Sequence, residues 1–256
     1  MIFIIILLLC GVFTLLYMLK EAFFNQVCYH NLSFSELPAS FSEMKIFFIS
    51  DIHRRKISKR IIKEVAGKAE MVIIGGDLAE KKVPLQRIKE NLEELKKIGT
   101  VYFVWGNNDY EVDNDLLTNL FNDLGIHVLL NKVVHWESIE GDLFHLIGID
   151  DYVEGNVQLE PVVKQTKKHG FRLLVSHNPE IIHDILPEHE IHLVLSGHTH
   201  GGQIRIFGFG PYEKGGIKKI GKTTVFVSNG YGTTAVPFRL GAKAETHLIS
   251  IIARKT

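Results

Sequence analysis

Cysteine is scarce in this sequence, with only Cys10 and Cys28 among 256 residues. Cys10 lies inside a long apolar run, which argues against a disulfide between the two. The count also excludes a structural zinc site made only of thiolates, because such a site needs four cysteines. We therefore expect no part of the function to depend on cysteine chemistry.

A net charge is also absent, because 29 Lys and Arg residues balance 29 Asp and Glu residues. This balance gives no reason to expect a nucleic-acid partner, and no obligatory protein partner is inferred. With 46% hydrophobic and 23% charged residues, the composition is typical of a globular protein rather than a disordered one. The length suits one sizeable α/β domain after any targeting segment.

Charged side chains are missing from the first nineteen residues, MIFIIILLLCGVFTLLYML. A helix that spans a bilayer needs about 17–25 apolar residues, so this run is long enough. A cleavable signal peptide is the alternative, but it would have a basic start and a small-residue cleavage site, and neither is visible. The residue before Cys10 is leucine, whereas a lipoprotein site would have a small residue there. We predict an uncleaved transmembrane anchor at 1–19 and a connector at 20–43.

One basic residue bears on the orientation of this single-pass anchor. Lys20 is the only basic residue close to either end of the apolar run. Because positive residues tend to stay on the inner side of a membrane, we predict that the rest of the chain faces the cytoplasm.

From Met44 onward, short apolar runs alternate with amphipathic stretches, which is typical of an α/β fold. Neither an internal repeat nor a linker divides this region, so we predict one domain at 44–256. The predicted strands are Val27–Phe34, Lys45–Ile49, Met71–Ile74, Val101–Trp105, Leu143–Ile149, Phe171–Val175, His192–Leu195, Thr224–Val227 and Thr246–Ile251. The predicted helices are Ile57–Ala66, Pro84–Ile98, Asn114–Leu124, Glu160–His169 and Pro179–Ile185.

Five of the predicted strands are each followed by polar side chains of the kind that bind metal ions. In open α/β sheets, ligand sites lie beyond the carboxyl ends of the strands, so we expect these side chains to converge. In chain order they are Asp51 and His53, Asp77, Asn107 with Asn108 and Asp109, His177, and finally His198 and His200.

The chemical types in this set indicate a particular kind of centre. Carboxylate, imidazole and amide oxygen together suit divalent ions such as Mn²⁺, Fe²⁺ or Zn²⁺. Seven candidate ligands are too many for one ion and about right for two, particularly if one carboxylate bridges them. Two ions roughly 3.5–4 Å apart can hold a hydroxide between them and stabilise both oxygens of an in-line phosphoryl displacement.

The order of these motifs closely resembles that of the calcineurin-like metallophosphoesterases, whose pattern is DxH, GD, GNH[DE], H and GHxH. The resemblance covers residues 44–251 and implies a four-layer αββα sandwich with two metals at the strand ends. The tail VSNGYGTTAVPFRLGAKAETHLISI resembles that of bacterial members with an N-terminal membrane or export segment. In this sequence the motifs read Asp51-Ile52-His53, Gly76-Asp77, Gly106-Asn107-Asn108-Asp109, His177 and Gly197-His198-Thr199-His200.

The resemblance also implies how the ligands divide between two divalent ions, with Mn²⁺ preferred and Fe²⁺, Zn²⁺ or Mg²⁺ as alternatives. An amide ligand would add no negative charge beside a phosphate. The implied ligands are Asp51, His53 and His200 for one ion, Asn107, His177 and His198 for the other, and Asp77 as the bridge.

Asn108 departs from the family pattern, which usually has a histidine at this position. An amide donates a hydrogen bond but cannot deliver a proton near pH 7, so esters with poor leaving groups are expected to be poor substrates. Asp109 is expected to orient a neighbouring ligand histidine. Tyr231 and Arg239 are candidates for the substrate pocket, although a structural role is favoured for both.

Together these features predict a membrane-anchored phosphoesterase with two metal ions, which cleaves a phosphate ester or pyrophosphate bond by means of a metal-bridging hydroxide. The substrate is expected to be a phosphorylated small molecule or lipid. An amphiphilic, lipid-linked one is favoured because the anchor would hold the site near the membrane, and family relatives include hydrolases of lipid-linked nucleotide pyrophosphates. The alternative is a degenerate, non-catalytic metal-binding scaffold, which a loss of ligands would favour.

Overall fold

Two six-stranded β-sheets lie at the centre of the protein in a computed structural model, which describes residues 1–166 and 169–254. In spatial order, the first sheet consists of β1 (Val27–Phe34), β12 (Thr246–Ala253), β2 (Glu43–Ile49), β3 (Met71–Gly75), β4 (Thr100–Val104) and β5 (His127–Val128). The second consists of β10 (Gly216–Ile220), β11 (Thr223–Val227), β9 (Leu193–Ser196), β8 (Phe171–Val175), β7 (Leu143–Gly148) and β6 (Lys132–Glu137).

The central strands of both sheets are parallel and buried on both faces. β2, β3 and β4 run parallel in the first sheet, as do β7, β8 and β9 in the second. Successive side chains of a strand point to opposite faces. On β2, Ile46 and Phe48 therefore join the core between the sheets, whereas Phe47 and Ile49 join the core beneath the helices. Burial on both faces explains why these strands read as continuous apolar runs.

Helices cover the outer face of each sheet. The α-helices are α1 (Ile2–Ala22), α2 (Lys59–Val65), α3 (Leu85–Lys96), α4 (Asn114–Leu124) and α5 (Leu159–Val163). Short 3₁₀ helices form at Ala39–Phe41, Asn107–Glu111, Pro179–Asp184, Pro187–His189 and His200–Gly202. The apolar faces of α2, α3 and α4 pack on the first sheet, and α5 packs on the second. The predicted four-layer αββα sandwich is confirmed.

The local predictions fail where the sequence carries little periodic signal. Strands β5, β6 and β10 were not expected, and β10 has no buried side chain because it pairs at the edge of its sheet. The predicted helix at Pro179–Ile185 is a 3₁₀ helix instead. Of the predicted helix Glu160–His169, only the part within α5 is helical, and residues 167–168 lie outside the described part of the chain.

The last turn of α1 is fixed to the folded domain, whereas most of the helix is exposed. Glu21 is buried, and its Oε2 accepts a hydrogen bond from the backbone N of Gly241 at 2.7 Å. The backbone N of Arg239 donates to the Met18 carbonyl at 3.2 Å, and that of Ala244 donates to the Glu21 carbonyl at 3.2 Å. By length and composition, α1 is able to cross a membrane. Within the segment predicted as a connector, β1 pairs in parallel with β12.

Candidate metal centre

Three of the predicted ligands form a buried group at the carboxyl ends of β2 and β9. Nε2 of His53 lies 3.1 Å from Nε2 of His200, which lies 3.5 Å from Oδ1 of Asp51. The candidate ligand atoms of all three residues lie within 4.8 Å of one another. This spacing allows all three to contact one ion.

A second group shares Asp51 with the first and adds Asp77 and His177 from the ends of β3 and β8. Oδ2 of Asp77 lies 3.2 Å from Nε2 of His177. The same oxygen lies 3.7 Å from Nε2 of His53 in the first group. The Asp77 carboxylate therefore lies beside a histidine of each group.

Asn107 and His198 meet beside the second group. Oδ1 of Asn107 lies 3.0 Å from Nδ1 of His198, and both residues are half-buried. The His198 ring lies 5.1 Å from the His177 ring, centroid to centroid. The backbone N of His198 donates to Oδ1 of Asp51 at 3.0 Å. All seven predicted ligands thus lie around one place in the fold.

The backbone at these positions is strained. The left-handed region is uncommon for residues other than glycine and costs about 1–3 kcal/mol each, and such strain clusters at functional sites. A positive φ occurs at Asp51 (54°), His53 (51°), Asp77 (51°), His198 (70°) and His200 (49°).

Two motif glycines are needed because other residues approach them closely. Gly76 has a φ of 84°, and a Cβ at this position would overlap the ring of His177. A Cβ on Gly197 would lie 2.5 Å from Oδ2 of Asp51. A larger residue at either position would displace a predicted ligand.

The polar groups that face each other here fit a divalent cation. Oδ2 of Asp51 is buried and has no hydrogen-bond partner, which is costly for a carboxylate unless a cation satisfies it. Burial lowers the pKa of His177, but the charges of Asp77 and Asp51 outweigh burial and raise that pKa to about 10. Without a metal, a proton on His177 therefore supplies the positive charge that the two carboxylates attract.

Two of the predicted ligand histidines have outer contacts that orient their rings. Nδ1 of His177 donates to the carbonyl oxygen of Gly75 at 2.8 Å, so Nε2 is directed toward Asp77. Nδ1 of His53 lies 3.0 Å from Oε2 of Glu80, so its Nε2 faces the centre. Such outer contacts select the ring nitrogen that is available to a metal.

The expectation for Asp109 is corrected by the structure. Its fully buried carboxylate does not orient a histidine but accepts hydrogen bonds from the backbone N atoms of Asp77 at 2.8 Å, Ala79 at 2.9 Å and Gly106 at 2.9 Å. Burial, with the Asp77 charge, raises the pKa of Asp109. Asp109 thus joins the GD and GNND loops and has a positioning role.

Asn108 contacts the carboxylate of Asp77, which lies beside a histidine of each ligand group. Its backbone N donates to Oδ1 of Asp77 at 2.9 Å, and its Nδ2 donates to Oδ2 at 2.7 Å. The side chain is half-buried, so a substrate can reach it. Its amide supplies a hydrogen-bond donor and no ionisable proton.

A contact to His53 was not expected from the motif pattern, and two residues considered for the substrate pocket are buried. Glu80 contacts His53 but follows no strand directly, so nothing in the motif spacing identified it. Tyr231 and Arg239 are both fully buried, which agrees with a structural role and excludes a place in an open pocket.

A cavity of about 200 Å³ is lined by the end of α1 and by Glu80 beside the candidate metal centre. Phe23 forms one wall, and Val236 and Pro237 form another. Arg54 and Glu80 line the side nearer to the centre, where Glu80 contacts His53. Arg54 is paired with Glu80, so the cavity combines apolar lining with an ion pair beside a predicted ligand.

Known proteins share this sequence pattern and fold. The chain is 42% identical over 229 residues to the uncharacterized protein YpbG of Bacillus subtilis (strain 168), covering 89% of this chain and 88% of that protein. It is 30% identical to a transmembrane protein with metallophosphoesterase domain of Danio rerio, covering 82% of this chain and 53% of that protein. This chain thus spans about half the length of the Danio rerio protein.

The fold comparison and the family model give the same classification. A putative 5'-nucleotidase from Staphylococcus aureus has a TM-score of 0.54 at 12% identity, covering 84% of this chain and 55% of that chain. At this identity the likeness shows the fold alone. Residues 44–208 match the family model described as the calcineurin-like phosphoesterase superfamily domain. The chain belongs to the calcineurin-like phosphoesterase superfamily of metal-dependent phosphohydrolases.

Proposed function

We propose that the protein is a membrane-anchored phosphohydrolase that uses two divalent ions, preferably Mn²⁺, to cleave a phosphate ester or pyrophosphate bond in an amphiphilic substrate. The observation that carries the two-ion proposal is the position of Asp77. Its Oδ2 lies 3.7 Å from Nε2 of His53 and 3.2 Å from Nε2 of His177. One carboxylate beside a histidine of each ligand group is the arrangement that a bridged pair of ions requires.

The proposed ligands are Asp51, His53 and His200 for one ion, Asn107, His177 and His198 for the other, and Asp77 for both. When bound, the ions supply Lewis acidity at the phosphoryl oxygens and lower the pKa of an attacking water. The protein's part is to hold these ligands in a strained, buried frame, so that little reorganisation is needed during the reaction.

Asn108 determines which bonds we expect to be cleaved. One N–H of its Nδ2 donates to Asp77, and the second is available to donate to a phosphate oxygen, but the amide cannot protonate a leaving group. A leaving oxygen must then depart largely as an anion. Pyrophosphate bonds and aryl esters release weakly basic anions, so they are favoured over simple alkyl esters.

The cavity lined by the end of α1 and Glu80 supports an amphiphilic substrate. Phe23, Val236 and Pro237 provide apolar lining, while Arg54, which is paired with Glu80 through Nε, has its terminal guanidinium nitrogens to offer to a phosphate group. Glu80 lines this cavity and contacts His53, which supports a substrate bound beside the proposed metal ligands. A lipid-linked pyrophosphate has both of these properties.

We also propose that α1 is a single-pass anchor with the catalytic domain on the cytoplasmic side. The helix is long and apolar enough to span a bilayer, and Lys20 lies at its domain end. We expect the full-length protein to stay in the membrane fraction through high-salt and alkaline washes, and the domain to be cleaved by protease only in inside-out vesicles. Protein in the soluble fraction would contradict the anchor, and cleavage only in right-side-out vesicles would reverse the orientation.

A metal-reconstitution experiment tests the catalytic proposal. The full-length protein, purified in detergent and stripped with a chelator, would be loaded separately with Mn²⁺, Fe²⁺, Zn²⁺ or Mg²⁺. We expect two ions per chain and metal-dependent turnover of lipid pyrophosphates, nucleotides, phosphodiesters or aryl phosphates. Asp123→Asn, which changes an exposed acid on α4, is the matched control and should leave both values unchanged.

The alternative functions predict different results. One ion per chain would contradict the bridged pair. Two bound ions without turnover of any substrate class would instead support the non-catalytic scaffold. Turnover of soluble nucleotides but not of lipid pyrophosphates would support the proposed enzymatic activity and contradict the proposal of an amphiphilic substrate.

A further inference from the structure

A loop that follows the HxH motif exposes a cluster of large apolar side chains. Within this loop, Arg205–Tyr212, the exposed fractions are 61% for Ile206, 95% for Phe207, 83% for Phe209 and 52% for Tyr212. Contiguous apolar surface of this kind on a folded protein marks an interaction site.

The loop has a defined conformation that presents these side chains to the outside. Nη1 of Arg205 donates to the carbonyl oxygens of Gly201 at 2.9 Å and Tyr212 at 2.6 Å, and Nη2 donates to that of Gly208 at 2.6 Å. Ile206 and Phe209 also pair across the turn through backbone hydrogen bonds. The guanidinium therefore satisfies the carbonyls at the base of the loop while its apolar tip remains uncovered.

The base of the loop is joined to the segment that holds the end of α1. Ile204 forms β-bridges with Leu240 and Gly241. The backbone N of Gly241 donates to Glu21 in the last turn of α1. The exposed loop and the apolar helix are thus both attached to Gly241.

Cations lie beside the end of α1, as expected where a protein meets anionic headgroups. Lys20 is exposed in the last turn of the helix. Lys243 is also exposed, and its Nζ lies 5.5 Å from the centre of the Phe24 ring. Aromatic side chains with neighbouring cations are characteristic of the membrane interface.

We propose that the apolar loop Arg205–Tyr212 inserts into the interface of the phospholipid bilayer beside α1. This inference rests on α1 spanning the membrane, which is part of the proposed function. Attachment at two points fixes the orientation of the domain relative to the bilayer. Because the loop follows His200 closely in sequence, its insertion holds the metal centre near the membrane surface.

Fluorescence quenching by brominated lipids tests this insertion in the full-length protein. Phe207→Trp and, separately, Phe209→Trp would be reconstituted in phosphatidylcholine–phosphatidylglycerol vesicles with bromine near the top of the acyl chains. Native Trp105 is buried and Trp136 half-buried, and the unmodified protein supplies their background. Both positions to be changed are exposed, so neither substitution disturbs the core.

Ile139→Trp is the matched control. Ile139 is fully exposed in the turn before β7, at the amino end of the parallel strands, whereas His177 follows the carboxyl end of neighbouring β8. We expect emission from the tryptophan introduced at Phe207 or Phe209 to be blue-shifted and reduced by brominated lipid, while the control is unaffected.

The outcomes separate this inference from the anchor. Protein retained by the vesicles after an alkaline wash, but with neither introduced loop tryptophan quenched, would overturn the inference alone. Equal quenching of the control would also overturn it, because the contact would not be specific to the loop. Release of the protein from the vesicles would overturn the anchor and the inference together.

Discussion

The guanidinium of Arg239 lies directly behind His200, with 3.1 Å between Nη2 of the arginine and Nδ1 of the histidine. Arg239 is fully buried: Nη2 and Nε also donate to the carbonyl oxygen of Gly232 at 2.7 and 3.0 Å, and Nη1 donates to that of Ala242 at 2.9 Å. Its backbone N donates to Met18 in α1. One residue therefore connects the last turn of α1 with a proposed metal ligand.

Arg239→Lys should weaken metal binding because an ammonium group cannot reproduce the fork that holds both His200 and the surrounding carbonyls. Loss of an outer contact to a ligand commonly lowers metal affinity about 10–100-fold. Calorimetric titration of the detergent-purified protein measures this change. Arg254→Lys, at an exposed position, is the control. Unchanged affinity in a folded Arg239→Lys protein would show that Arg239 does not position His200.

Asp77→Asn should reduce both bound metal and turnover. The substitution removes the negative charge that lies beside His53 and His177, so one carboxylate no longer attracts both ions. His198→Ala and His200→Ala should each impair one of the two proposed sites. Elemental analysis of bound metal per chain, together with an activity assay, distinguishes the loss of one ion from the loss of both. Two tightly bound ions in Asp77→Asn would refute the bridging role.

Asn108→His should flatten the dependence of rate on the pKa of the leaving group. In the unmodified protein we expect this dependence to be steep, because the amide cannot donate a proton as the leaving oxygen departs. General acid catalysis contributes about 10²–10⁴-fold, so the gain should appear chiefly with poor leaving groups. A series of esters with graded leaving groups measures both slopes. A shallow slope that the substitution leaves unchanged would indicate that another residue supplies the proton.

Stability should fall in mild acid because of His247, which lies in the core away from the metal centre. Burial, and secondarily His30, lowers the pKa of His247 well below its ordinary value. The unfolded chain takes up a proton near pH 6.5, whereas the folded chain does not, so stability falls as the pH drops below about 6.5. The slope is at most about 1.4 kcal/mol per pH unit for this group.

His247→Gln should reduce that acid sensitivity, since glutamine does not titrate and keeps a polar group near Ser228, whose Oγ lies 2.9 Å from Nε2 of His247. Urea titrations between pH 5 and pH 8 measure the free energy of unfolding of both proteins. An identical pH dependence in the variant would assign the effect to other groups. His127→Gln, at an exposed histidine, is the control.

The sequence alone was sufficient for features that depend on local patterns and motif order. Apolar runs such as the one in Met71–Gly75 identified the central strands because a strand buried on both faces has few polar positions. A motif directly after each strand implied a shared site because the carboxyl ends of parallel strands meet at one edge of a sheet. The long apolar run likewise predicted α1.

Other features depended on contacts between distant residues, which only the tertiary structure decided. The structure brings His53 to His200 across 147 positions, and it directs the Asp109 carboxylate to backbone N–H groups rather than a histidine. Burial of Arg239 behind His200, and attachment of the apolar loop to the end of α1 through Gly241, have no local signature. Local spacing determined which side chains lie at the strand ends, whereas packing of sheets, loops and helix determined what each one contacts.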